Sequence, residues 1–264
     1  SRVLKTLDVD STALGFSGGF PGDFIAQTLE DSNIQSDFVQ VDEDTRINVK
    51  LKSGQETEIN APGPKVTHAQ FEQLLSQIRR TTNDDIVIVA GSVPNSIPSD
   101  AYAQIAQITE KTGAQLVVDA EKDLVETVLP YRPLFIKPNK DELEVMFNTT
   151  VKSDEDVIKY GKEILKKGAQ SVIISLGGDG AIYVDQHQSI KAVNPQGHVV
   201  NTVGSGDSTV AGMVAGLSMG LNIDEAFQQA VASGTATAFS EDLATRDAIE
   251  NIKSQVTISV LDGE

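Results

Sequence analysis

The sequence predicts a three-layer α/β fold: a mostly parallel central sheet with helices on both faces, and a small β segment that departs from it. Three observations carry this. From residue 67 onward, short apolar runs alternate with amphipathic helical segments, the pattern of repeated strand–helix–strand units. Those runs are continuous, as in "DIVIVAGS" (85–92), which is expected of strands buried on both faces. By contrast "TRINVKLKSGQETEINAPG" (45–63) alternates around Ser53-Gly54, so it reads as a hairpin with one wet face, outside that sheet. The 264 residues suit one domain, 1–264, with a β lid at about 37–63.

The elements follow in order. "STALGFSG" (11–18) reads as a strand ending in glycine, and "GDFIAQTLEDS" (22–32) as a helix with Phe24, Ile25 and Leu29 at helical spacing. "SDFVQV" (36–41) is a further strand, and the hairpin comes next. "THAQFEQLLSQIRR" (67–80) opens on a Thr67/Gln70 capping box and carries Phe71, Leu74, Leu75 and Ile78 on one face. After the 85–92 strand, "PSDAYAQIAQITEKTG" (98–113) is a helix with Ser99 as cap and Gly113 as stop. "AQLVVDAE" (114–121) is a strand, "KDLVETVL" (122–129) a helix, "PLFIKPN" (133–139) a strand and "KDELEVMF" (140–147) a helix. A helix capped by Ser153, the strand "QSVIISLGG" (170–178) and a strand pair at 180–185 and 189–194 come before two Ala/Gly-rich helices, 206–219 and 223–240. The amphipathic "RDAIENIKSQ" (246–255) is the last segment assigned. In such a sheet, ligands bind beyond the carboxyl ends of the strands. That rule selects Gly18-Gly19, Gly91-Ser92, Asp119, Lys137–Asn139, Ser175–Gly180 and the 201–207 turn.

Composition narrows the class of function. A net charge of −17 argues against a general nucleic-acid binder, which needs clustered Lys and Arg. It leaves room for an anionic small molecule held by a few local cations. There is no run of apolar residues long enough for a membrane span, and no signal sequence. Cysteine is absent, which excludes disulfides and thiolate metal sites and fits a reducing compartment such as the cytoplasm. The three histidines, His68, His187 and His198, lack a metal-ligand spacing. The chain opens on "SRVLKTLDVD", which reads as the back half of a helix, so a preceding segment is expected to be absent.

Three turns carry chemistry. Gly204-Ser205-Gly206-Asp207 lies where an extended stretch meets a helix, so free amides and the helix dipole favour an anion there. Asp207 then lies in the first turn, within reach of a proton on an attacking hydroxyl. A capped helix with glycines for close packing accounts for the same residues. In "KPNKDELE", Asn139 and Glu142 fit either a water-mediated Mg2+ site or a reciprocal helix cap. In "SLGGDGA", Ser175, Leu176, Gly177, Gly178, Asp179 and Gly180 fit either a turn beneath a nucleotide or a plain hairpin. Walker and Rossmann phosphate loops are excluded, since GxxxxGK[ST] is missing and Thr209 replaces the last glycine of GxGxxG. On the hairpin, Arg46, Asn48 and Lys50 share one face, and Arg46 and Lys50 have the chemistry to grip a phosphate.

"NTVGSGDS", "KPNKDELE" and "SLGGDGA", in this order and at these strand ends, together resemble the ribokinase-like sugar kinases of the phosphofructokinase B branch. The resemblance spans essentially the whole chain. It implies a ribokinase-like fold with Asp207 as catalytic base and the 204–207 amides as anion hole. Asn139 and Glu142 would lie near Mg2+, and Lys137, Asn139 and Ser175–Gly180 at ATP, with Ser233 as an adenine contact. Asn201 and Ser205 stand where the family most often has Asp and Ala, as in its hexose-phosphate subgroup. "DEDTRINVKL" and "TEINAPGP" resemble that subgroup too, implying a ketohexose phosphate held by Gly18, Gly19, Arg46, Asn48 and Lys50. D-fructose 1-phosphate is the first expectation and tagatose 6-phosphate the second; a homodimer through the lid is also implied. The family's first strand and its GGKGxN motif have no counterpart here. Should they be missing from the protein itself, a weakened fold and a non-catalytic nucleotide or sugar-phosphate binder are expected instead.

Overall fold

The computed structural model describes residues 1–53 and 55–263, with side chains of residues 50–58 excepted. In chain order the helices are α1 (Arg2–Thr6), α2 (Gly19–Asp31), α3 (His68–Ile78), α4 (Ala101–Thr112), α5 (Lys122–Val128), α6 (Lys140–Phe147), α7 (Asp154–Lys167), α8 (Ser205–Ser218), α9 (Ile223–Ala238) and α10 (Arg246–Lys253). The strands are β1 (Thr12–Ser17), β2 (Gln35–Gln40), β3 (Asn48–Ser53), β4 (Gln55–Asn60), β5 (Ile86–Ala90), β6 (Gln115–Asp119), β7 (Phe135–Ile136), β8 (Val172–Ser175), β9 (Ala181–Val184), β10 (Gln188–Val193) and β11 (Thr257–Gly263).

Strands β5 to β11 form one seven-stranded sheet in sequence order. From β5 to β8 neighbours are parallel; from β8 to β11 they are antiparallel. Period-two alternation sends successive side chains to opposite faces. Leu116, Val118, Ile174 and Ile182 enter the core beneath α3–α7, while Val117, Ile173, Ala181 and Tyr183 enter the core beneath α1, α8, α9 and α10. This is why these strands read as unbroken apolar runs. Full burial of side chains such as Phe135 and Phe227 stabilises the fold by roughly 1.5–3 kcal/mol each.

Among the described residues, side-chain caps place five of the ten α-helix starts. The Thr67 capping box is formed in full: the Thr67 amide donates to Gln70 Oε1 at 2.8 Å and the Gln70 amide to Thr67 Oγ1 at 3.3 Å. Ser153 and Asn222 also cap their helices, and Gly113 ends α4 at φ +81. Three points differ from expectation. Helix α4 starts after Asp100 rather than Ser99, because the Pro98 carbonyl already accepts the Ala101 amide and turns the chain one residue later. Strand β5 is not buried on both faces: it is the terminal strand of its sheet and is half-exposed. Outside the large sheet, β2 pairs in parallel with β1, and β3–β4 forms the hairpin. Strand β11 was not foreseen; Ile258 and Val260 carry its weak alternation, and pairing with β10 secures it.

Candidate active site

The carboxyl ends of β6, β7 and β8 and the start of α8 converge. Gly204 caps α8 at φ +79, where a side chain is strained, and a Cβ there would come within 2.8 Å of Leu243. Asn201 shapes the approach: its Oδ1 accepts from the Val203 amide at 3.2 Å, and its Nδ2 donates to the Glu241 carbonyl. The Ser205 amide donates to the Thr202 carbonyl at 3.2 Å, so that donor already has a partner within the turn. The amides of Gly206 and Asp207, at the helix start, have no carbonyl partner one turn back and remain available as donors. Asp207 stands exposed in this first turn. Ser205 Oγ is buried and has no hydrogen-bond partner.

Lys137 reaches this loop from the end of β7. It is only 7 % exposed, and its Nζ lies 3.2 Å from Asp119 Oδ1 at the end of β6. A Cβ on Gly206 would stand 3.3 Å from that ammonium and 4.0 Å from Asp119 Oδ2. The glycine thus leaves the space in which a cation meets the amides. Burial pushes the Asp119 carboxyl above its ordinary value; Lys137 opposes that shift, and Asp207 and Glu142 add to it. These three carboxylates therefore share one field. The strand-end rule selects Asp119 but supplies no role for it, because its pairing with Lys137 needs the β6–β7 register to bring them together.

Asn139 and Glu142 form the reciprocal cap: the Asn139 amide donates to Glu142 Oε2 and the Glu142 amide to Asn139 Oδ1, both at 2.8 Å. Each carboxylate and amide oxygen retains further acceptor capacity, so capping does not remove them from a hydrated cation. Among the described residues no three acidic or imidazole side chains converge to chelate a metal directly. The hard oxygens of Asp119, Asn139 and Glu142 fit Mg2+ that keeps its waters. Next to this cap, Asn139 and Ser175 form a parallel bridge, and the Ser175 amide donates to the Pro138 carbonyl at 3.1 Å. The "KPN" and "SLGGDG" turns are thus immediate neighbours. The latter is a short 3-10 turn through Gly177, Gly178 and Asp179, with Leu176 N–H donating to the Gly180 carbonyl at 2.8 Å. Gly180 is required by the backbone of β10, since a Cβ would lie 1.9 Å from the Ala192 carbonyl. At Gly177 and Gly178, by contrast, nothing stands within 4 Å of a Cβ position, and that face is open.

The expected sugar-site residues divide. Gly18 and Gly19 underlie the 41–45 loop: a Cβ would lie 2.4 Å from the Val41 carbonyl at Gly18, and 1.6 Å from Asp44 at Gly19. The Gly18 amide donates to Thr45 Oγ1 and the Thr45 amide to the Gly18 carbonyl. This clasp draws residues 42–47 away from the hairpin, so Arg46 precedes β3 instead of sharing its face with Asn48. Asn48 opens β3 opposite Asn60; the Lys50 side chain lies outside the described residues. Arg46, Thr45, Lys65 and Ser92 line a cleft of about 750 Å³ that reaches Leu14 on β1 and Val87–Ala90 on β5. A second cleft shares Leu14, Val87, Ile88 and Ala90 and continues to Asp119 and Asp207. Arg46 and Asp207 thus line two adjoining clefts that share the wall of Leu14, Val87, Ile88 and Ala90. Ser233 does not join this group: it is fully buried, its Oγ donates to the Gln229 carbonyl at 2.8 Å, and it packs against Gly212. A buried, bonded hydroxyl offers no surface to a ligand, so the adenine contact expected there is not formed by Ser233.

Comparison with known proteins places this site in context. The sequence profile of the "pfkB family carbohydrate kinase" matches residues 1–248. The 1-phosphofructokinase of Bacillus subtilis (strain 168) is 42% identical over 261 residues, covering 99% of this chain and 86% of that protein. A D-tagatose-1-phosphate kinase of Bacillus licheniformis is 37% identical over 262 residues, covering 99% and 86%. A crystal structure described as a candidate phosphofructokinase from Staphylococcus aureus is 81% identical and superposes with a TM-score of 0.92, covering 100% of this chain and 86% of that one.

Proposed function

The chain belongs to the pfkB family of carbohydrate kinases, and from that premise we propose that it transfers the γ-phosphoryl group of ATP to O6 of D-fructose 1-phosphate, giving fructose 1,6-bisphosphate. The observation that carries the mechanism is Asp207 in the first turn of α8, beside a glycine whose missing side chain leaves room for the Lys137 ammonium. Asp207 accepts the O6 proton as O6 attacks the γ-phosphorus. The new P–O bond forms as the bond to the β-phosphate oxygen breaks, and ADP leaves. Charge on the transferring group is met by the Gly206 and Asp207 amides, the α8 dipole and Lys137. Asn139, Glu142 and Asp119 would hold Mg2+, which when bound would supply further neutralisation of the phosphate charge. The open face of Gly177–Gly178 receives the nucleotide, and Arg46 the substrate phosphate.

Within the same reading the reaction takes place in the cytoplasm, where ATP is supplied. Among the described residues no helix is long and apolar enough to cross a membrane. The lid hairpin serves as a dimer contact, a role supported by exposed Ile47, Val49 and Ile59.

An ATP-coupled assay tests the reading. Wild type is expected to turn over fructose 1-phosphate with a higher kcat/KM than tagatose 6-phosphate; the reverse order overturns the sugar assignment. Asp207→Asn is expected to lower kcat by at least about a hundredfold, the low end for a lost general base. Near-normal kcat in that variant overturns the mechanism.

A further inference from the structure

Asn194, just after β10, has a side chain engaged at both ends. Its Nδ2 donates to the Gly177 carbonyl at 3.1 Å and reaches the Gly178 carbonyl at 3.5 Å, while its Oδ1 accepts from Thr235 Oγ1 at 2.8 Å. Carbonyl oxygens only accept, so the NH2 end faces the turn and Oδ1 faces the hydroxyl. Thr235 is 6 % exposed on α9. Its neighbour Gly234 packs so tightly that a Cβ would stand 2.2 Å from Thr209 Oγ1 and 3.0 Å from the Ser205 carbonyl. Direct contacts thus run from Gly177–Gly178 through Asn194 and α9 to Ser205, in the loop that begins α8. The turn's own bonds, such as Gly180 N–H to the Gly177 carbonyl at 3.2 Å, close it on itself and do not set its distance from α8.

We infer that Asn194 is a positioning residue for the adenine nucleotide, holding the Gly177–Gly178 turn at a fixed separation from the phosphate-binding start of α8. The inference rests on the nucleotide assignment of that turn given above. A turn released from this tie must be ordered when the nucleotide binds, which costs affinity. The amide is the suitable group: a carboxylate faces two carbonyl oxygens with no proton to donate, and a serine hydroxyl is too short to span the gap.

Calorimetric binding of Mg-ADP, with separate KM values for ATP and fructose 1-phosphate, tests this on wild type, Asn194→Ala, Asn194→Asp and Thr235→Val. Asn194→Ala is expected to weaken ADP binding and raise KM for ATP by about tenfold, the size of one lost hydrogen bond. KM for fructose 1-phosphate should stay within about twofold, since that site lies across the cleft. Asn194→Asp should weaken ADP more than alanine does. Thr235→Val, which keeps the shape and releases one end only, should weaken it less. Unchanged ADP affinity in both Asn194 variants overturns the inference and leaves the kinase reading standing; so does an equal rise in both KM values. If the Asn194 variants fail to fold, unchanged ADP affinity in Thr235→Val overturns it. A wild type that turns over no sugar phosphate yet loses ADP affinity on these substitutions upholds the inference while overturning the kinase reading. A wild type that does not bind ADP overturns both.

Discussion

Asp119 shows how burial and pairing together define a residue. Its carboxyl is held above the ordinary value, first by burial and then by Asp207 and Glu142, against the pull of Lys137. A raised pKa means that folding favours the protonated form. The resulting stability is fully present below the ordinary carboxylate pKa and is lost as pH rises through the raised one. Relative to Asp119→Asn, wild type should lose stability from about pH 4 upward, which urea unfolding in metal-free buffer measures. A difference of the opposite sign would mean that the Lys137 pair outweighs burial. Other residues show what a motif leaves open. "KPNKDELE" by itself favours the cap over the cation site; the structure displays the cap, with oxygens still available beside it. Asn194 carried no signal at all, because both its partners are distant in sequence and meet it only through the fold.

At the scale of elements, α8 and α9 are the support on which the site rests. Small residues let the two helices approach: a Cβ on Gly212 would lie 2.6 Å from Ser233 Oγ and 2.8 Å from the Ala230 Cα, and one on Gly216 would lie 2.7 Å from the Ala226 Cα. Between them Thr237 Oγ1 donates to Ser208 Oγ at 2.9 Å in a buried link. Gly212→Ala is therefore expected to cost about 1–3 kcal/mol by overpacking, read as a lower midpoint in denaturant unfolding. Wild-type stability in that variant would show that the helices can part without loss. The Ala/Gly-rich composition announced two buried helices; it did not say which hydroxyls face a ligand. Sequence shows the α9 helix but not its partner face, and that face is where Ser233 is buried against α8.

For the whole molecule, the seven-stranded sheet gathers the β6, β7 and β8 ends against α8, while β1, β2 and the loop clasped at Gly18–Thr45 bring Arg46 to a cleft that adjoins this group. On the hairpin, Val49 stands directly opposite Ile59, and both are exposed, an apolar pair on the ribbon. That pair is what supports the proposal of the lid as a dimer contact. Sedimentation velocity should show a wild-type dimer that Ile59→Lys shifts toward monomer; a wild-type monomer at micromolar concentration refutes the lid contact. Sequence alone determined the layered α/β class, the glycine-bounded turns at the strand ends and Asp207 at a helix start, because periodicity and capping are local and act within a few residues. Only the tertiary structure decided that Lys137 is paired with Asp119 beside Gly206, that Arg46 is drawn off the hairpin by the Gly18–Thr45 clasp, and that β5 is half-exposed. Each of these depends on strand order, register and close backbone approach between residues far apart in the chain, and such long-range contacts leave no periodic mark in the sequence.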